Sequence, residues 1–253
     1  MSNLLLITFA ASIFSGCYIP SKNKASDQIS YREKSEELER CVGDACAQIV
    51  LSYPSFEGDQ LLAEQLNAGI SRQLIHFMQI EEQESHSLKG AVQDFFAAYI
   101  KFREEFAEPV QEWTLELTGE VTYQTENLLG LRFSSYSYLG GAHPNAQELH
   151  LTFDLEKGGT ILLQKDMVLN EDKLLELALE EFRDIHRLKP AVSLEENGRF
   201  FLNEGKFFLP RSMGYEQDEF VLLYNSYEIG SYVMGSTELR FPLNQLEGIV
   251  LLK

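Results

Sequence analysis

Residues 113–154 constrain the fold more than any other part of the chain. In "WTLELTGEVTY" the apolar side chains Trp113, Leu115, Leu117, Val121 and Tyr123 keep one phase, while Glu116, Thr118, Glu120 and Thr122 face the other way. Successive strand residues point to opposite faces, so this run predicts a half-buried antiparallel strand. Leu129, Leu131 and Phe133 repeat the alternation, which then changes phase to Tyr136 and Tyr138; the shift at Ser134-Ser135 predicts a β-bulge. Leu149, Leu151 and Phe153 alternate again and leave His150, Thr152 and Asp154 on the opposite face. Between the last two runs stands Gly140-Gly141-Ala142-His143-Pro144, whose glycines suit the backbone of a turn.

Two amphipathic helices precede these strands. From Asp59 on, Leu62, Leu66, Ile70, Leu74 and Phe77 recur at helical spacing; from Ser87 on, Leu88, Val92, Phe95, Tyr99, Phe102 and Phe106 do the same. One apolar stripe on each is what a helix laid against a sheet requires. Upstream, Ala47 to Tyr53 reads as a strand ending at Pro54, and Tyr31 to Arg40 as a short helix. Downstream, Leu174, Leu175, Ala178, Phe182 and Ile185 mark a helix from Glu171 to Leu188. Short strands are expected at Thr160 to Leu163, Lys206 to Leu209, Phe220 to Tyr224, Thr237 to Phe241 and Ile249 to Leu252. The pattern is that of an α+β fold, antiparallel β-sheets packed by amphipathic helices, in two subdomains, residues 45–160 and 161–253.

The N-terminus speaks to location. Leu4 to Phe14 carries no charge but is shorter than the roughly 20 residues a membrane-spanning helix needs. It has the length of a signal-peptide apolar region. Phe14-Ser15-Gly16-Cys17 resembles a bacterial lipobox, with Phe14 where Leu is usual and no Lys or Arg in Met1-Ser2-Asn3. The expectation is a signal peptide over residues 1–16, lipid on Cys17, and a tether with a short helix over residues 17–44. Cys41 and Cys46 then remain as an even pair, which outside the cytoplasm most simply forms a disulfide.

Composition and motifs exclude more than they assign. The 253 residues carry a formal net charge of −18, which repels nucleic acid and anionic lipid and favours encounter with a cationic protein. Five histidines (His76, His86, His143, His150 and His186) form no HExxH and no i, i+4 pair, and the sequence shows no local set of zinc ligands. His143 and His150 flank one turn and are the only pair placed to share a metal. GxSxG, GxGxxG and Walker loops are missing, so no cofactor is expected. Carboxylates are too abundant for any pair to be singled out as a glycosidase couple. The stretch "LLYNSYEIGSYVMG" sets Tyr224, Tyr227 and Tyr232 around Asn225 and Glu228. Tyrosines among small residues suit a binding surface, and equally a tight turn with half-buried rings.

Three stretches together resemble a bacterial extracytoplasmic family: "IVLSYPSF" with Leu66-Asn67, "YSYLGGAHPNAQELHLTFDLEKGG" followed by "LLQKDMV", and "EFVLLYNSYEIGSYVMGSTELRFPLNQL". The family pairs two domains of unknown function, found in the RsiV-type anti-sigma factor ectodomain and beside the deacetylase module of PdaC. The resemblance covers roughly residues 45–250 and implies an α+β fold with antiparallel sheet outside the cytoplasm. For the RsiV-type ectodomain it also implies binding of lysozyme, a cationic muramidase. The chain shows neither a transmembrane helix with a sigma-binding segment nor a deacetylase module with its Asp/His metal motif. The expectation is therefore a lipid-anchored, periplasm-facing binding module without catalysis, its ligand a lysozyme-like cationic protein or peptidoglycan. Candidate contacts are Tyr224, Tyr227, Glu228 and Tyr232, with His143 and Asn145 on the facing turn. The competing class is an envelope hydrolase acting on glycan or peptide through unidentified carboxylates.

Overall fold

The computed structural model describes residues 29–80, 85–106, 112–189 and 192–253. The expected signal peptide, Cys17 and the tether up to residue 28 lie outside them. A six-stranded sheet runs in the order β1 (Ile29–Val42), β2 (Ala45–Gly58), β3 (Trp113–Gln124), β4 (Leu128–Tyr138), β5 (Asn145–Asp154), β6 (Thr160–Ile161). Neighbours are antiparallel except β2 and β3, which run parallel. The exception follows from the chain: α1 (Gln60–Met78) and α2 (Leu88–Glu105) lie between those two strands, and a parallel pair needs such a crossover.

Both helices start on the residues that the sequence offers as caps. The Asp59 carboxylate accepts from Leu62 N–H at 2.9 Å, and the Ser87 hydroxyl oxygen from Gly90 N–H at 3.1 Å. Leu66, Ile70 and Leu74 of α1 are fully buried with Ile49, Leu51, Leu115, Leu117, Leu131 and Phe133 of the sheet. Each such side chain contributes about 1.5–3 kcal/mol by leaving water. Asn67 ties α1 to β2 by accepting from Phe56 N–H and donating to Phe56 C=O, both at 2.9 Å.

A second core gathers α4 (Glu171–Ile185) and a three-stranded antiparallel sheet, β7 (Ser212–Glu216), β8 (Glu219–Tyr224) and β9 (Thr237–Pro242). Two short helices, α3 (Gln164–Met167) and α5 (Leu194–Asn197), complete this half. The α+β class is as expected. Among the described residues no helix is long and apolar enough to cross a membrane.

Several local expectations are corrected. Tyr31 to Arg40 is not a helix but the body of β1, paired residue for residue with β2. The Cys41–Cys46 disulfide is present and joins two directly opposed positions at the tip of that hairpin. β2 does not stop at Pro54 but continues to Gly58. Beyond Ser52 it pairs, among the described residues, with no strand other than β1. Its opposite edge is met at Phe56 by the Asn67 side chain, so the missing N–H of Pro54 is tolerated. The register shift lies between Val121 and Tyr123, while β4 pairs without interruption through Ser134 and Ser135. The stretches 206–209 and 249–252 are not strands; they contribute only isolated bridges at Lys206 and Val250.

Candidate functional site

The second sheet meets the first along β7, which lies over the outward faces of β4 and β5. Close approach depends on Gly214: a Cβ there would stand 2.6 Å from His150 Cβ. The polar residues that alternation leaves on that side of β5 are thereby covered, and His150, Thr152 and Asp154 are all buried. His150 N–H donates to Ser212 Oγ at 3.1 Å, Nδ1 lies 3.0 Å from the same oxygen, and Nε2 lies 2.7 Å from Glu216 Oε1. Arg132 bridges Glu148, Glu216 and Glu238, and Arg240 bridges Glu216, Glu219 and Glu238. The hydrogen bond from His150, with Arg240 and Arg132, holds the Glu216 carboxyl at about 2 against the opposing effect of burial. Nε2 of His150 therefore faces an ionised carboxylate and donates to it.

Serine, histidine and an acid in contact resemble a nucleophilic triad in composition. The geometry differs: the serine sits on Nδ1 and the acid on Nε2, the reverse of the hydrolase arrangement. Ser212 is 1% exposed, its hydroxyl held against the backbone N–H and the Nδ1 of His150. What the group does in this setting is join two domains. Sequence reasoning missed Arg132, Ser212, Glu216, Glu238 and Arg240. The available signal was the polar face of β5, which alternation marked as opposite to the core but which could equally have been solvated.

An open face lies along the same junction. After β8, residues 225–228 make a turn closed by Glu228 N–H donating to Asn225 C=O at 3.0 Å. Tyr227 holds a left-handed φ of 69° in it, a conformation that side chains other than Gly and Asn resist. Glu228 braces the turn, accepting from Asn225 N–H at 2.9 Å and from Arg211 N–H at 2.8 Å. Asn225 clamps β5, accepting from Glu148 N–H and donating to Glu148 C=O, both at 2.8 Å. The chain then passes into a 3-10 turn, Tyr232–Met234, where Tyr232 donates its hydroxyl to Pro144 C=O at 3.0 Å.

These contacts assemble three rings. His143 stacks on Tyr232 with centroids 4.2 Å apart, and Tyr227 lies against the same tyrosine at 5.6 Å. Tyr227 is 56% exposed, and Val233, next to Tyr232 in sequence, 95%. Tyr227 also stands at the mouth of a cleft of about 820 Å³ between the two domains, lined by amides Gln73, Gln147, Asn203 and Asn225 with Phe77 and Phe208.

The expected contacts thus divide. His143, Tyr227 and Tyr232 come together on the surface, whereas Tyr224 is a core residue. Its hydroxyl donates to Phe208 C=O at 2.6 Å, and burial pushes it well above the usual tyrosine range. Both Glu228 oxygens are occupied within the protein. Asn145 opens β5 opposite Ser137 and lines an adjoining hollow of about 340 Å³. His143 and His150 do not converge on a shared metal position, since one ring packs on Tyr232 and the other is enclosed by Ser212 and Glu216. Among the described residues one group of three possible metal ligands converges, Glu39, Cys41 and Cys46, and its two sulfurs are bonded to each other.

Residues 42–146 match the family model described as "Deacetylase PdaC", and residues 161–244 match that described as "Protein of unknown function (DUF3298)". No curated protein matches the chain. Among solved structures, a DUF3298 family member from Bacteroides fragilis aligns with a TM-score of 0.66 at 16% identity, over 89% of this chain and 95% of that one. A DUF3298 family protein from Pseudomonas aeruginosa aligns with a TM-score of 0.64 at 22% identity, over 90% of this chain and 96% of the other. At these identities the likeness establishes the fold.

Proposed function

We propose, for a chain that carries a PdaC-type domain followed by a DUF3298 domain, that it is a non-catalytic binding module of the bacterial cell envelope, held to a membrane by lipid on Cys17. The observation that carries this reading is the surface ring face of His143, Tyr232 and Tyr227, of which Tyr227 also lines the interdomain cleft. An exposed tyrosine kept at a φ of 69°, where glycine would sit without strain, is a side chain retained for what it contacts. The favoured ligand is a cationic cell-wall protein of the lysozyme type, steered by a net charge of −18 and seated on the rings.

A second ligand, peptidoglycan, is favoured by the amides and aromatic rings that line the cleft, since such groups bond sugar hydroxyls and stack on sugar faces. Catalysis does not enter the reading. The deacetylase named in the matched family description would need a set of His and Asp ligands, and the one converging group among the described residues is spent in a disulfide.

Retention of the purified protein on immobilised lysozyme and on sedimented peptidoglycan, at low and at high salt, tests the proposal. Capture by lysozyme that salt releases supports the first ligand, and salt-insensitive sedimentation with cell walls the second. No retention on either at low salt contradicts the binding reading. Clearing of a cell-wall suspension that is lost on mutating one carboxylate would replace it with the hydrolase.

A further inference from the structure

A second surface lies on the opposite edge of the first sheet. β1 is the outermost strand and, among the described residues, pairs on one side only, with β2. The N–H and C=O groups along its other edge remain open to another chain. Beside that edge runs a groove of about 690 Å³ between β1 and α2. Leu38, Leu88, Val92, Phe96 and Ile100 make it apolar. Lys34, Glu36, Leu38 and Arg40 share the face on which their partners Tyr53, Leu51, Ile49 and Ala47 are buried, so the groove continues the helix side of the sheet.

Charge narrows the occupant. Lys34 is paired with Glu36 at 2.7 Å, but Arg40 and Lys89 on the groove wall have no ion pair among the described residues. Glu39 also lines the groove without an ion pair among those residues. In a chain of −18 the wall thus carries two unpaired cations against one unpaired carboxylate, a small local excess of positive charge. A second copy of β1 fits poorly. Two-fold antiparallel pairing sets residues of equal parity opposite one another, and the central registers oppose Glu33 to Glu37, Arg32 to Arg40, or Lys34 to Arg40. An acyl chain with an anionic head would fill the groove and meet the cations, yet leave the strand edge unused.

We propose that β1 and α2 form a strand-addition site for an extended segment of a partner protein. Alternate apolar side chains of that segment lie in the groove, and carboxylates at its ends meet Arg40 and Lys89. Main-chain pairing with β1 supplies the alignment and the groove supplies the selection. This site is separate from the ring face and stands or falls without it.

The test uses the full chain and a short fluorescent peptide alternating Val and Ser with Glu at each end. Binding is expected by polarisation, at least tenfold weaker to the Arg40→Glu, Lys89→Glu double variant, whose substituted side chains are exposed and whose melting temperature is expected to match the parent. The same peptide ending in Lys is expected to show the reverse preference. N-methylation of alternate residues along one edge of the peptide is expected to abolish binding, and along the other edge to leave it intact. Absence of binding by the Glu-ended peptide, or equal binding by both N-methylated series, overturns the proposal. Displacement of the peptide by laurate together with indifference to N-methylation would make the groove a lipid site instead.

Discussion

His150 lies between Ser212 and Glu216 with its side chain 1% exposed, whereas His143, seven residues earlier, packs its ring on Tyr232 at the surface. One belongs to the joint between the domains and the other to a face that a partner can reach. Residue type and the neighbouring glycine turn do not separate the two. What separates them is what the second domain sets against each: β7, brought into contact by Gly214, or the edge of a loop that reaches across with single side chains.

Substitutions on the two sides of this divide sharpen the contrast. Glu216→Ala removes one of the two carboxylates that Arg132 and Arg240 share and strands the buried His150 Nε2, and is expected to cost about 2–3 kcal/mol in urea unfolding. The same carboxylate makes stability pH-dependent. Its folded value of about 2 lies below the ordinary value of 4.5, so its contribution is complete above pH 4.5 and is lost as pH falls toward 2. Urea midpoints measured across that window should fall more steeply for the parent than for Glu216→Gln. Gly214→Ala drives a Cβ into the stem of His150 and is expected to cost about 1–3 kcal/mol. Asn225→Ala removes two hydrogen bonds to Glu148 and should cost about 1–2 kcal/mol, since the strand groups it served lie near solvent. Tyr227→Gly is the smallest in stability and of opposite sign: relief of the left-handed φ raises stability by up to about 1 kcal/mol.

Legibility in the sequence followed how many faces an element buries. β3, with α1, α2 and α4, sets an apolar face against a solvated one, and that periodicity is readable. β5 alternates apolar with polar residues although both faces are covered at its C-terminal end, and β8 is a short apolar run buried on both faces. β7 alternates Met213 and Tyr215 toward the second core with Ser212, Gly214 and Glu216 toward His150, but over five residues with a central glycine that pattern is too short to stand out. β1 carries Arg, Glu, Lys and a single Leu in its central part, residues that favour a helix when nothing else decides. Pairing with β2 through the disulfide-closed hairpin overrides that preference. At the candidate site, Tyr227, Tyr232 and His143 were legible as tyrosines and a turn histidine near glycines. Tyr224 was not distinguishable from them, because only the packing of α4 and Phe207 over β8 shows that it faces inward.

The account rests on the ring face acting as a contact surface independent of the joint beneath it. Titration of lysozyme against the parent and Tyr227→Gly at low salt, with melting temperatures recorded alongside, tests this most directly. The expected result is at least a tenfold loss of affinity with a melting temperature unchanged or raised. Equal affinity for the two proteins would contradict it.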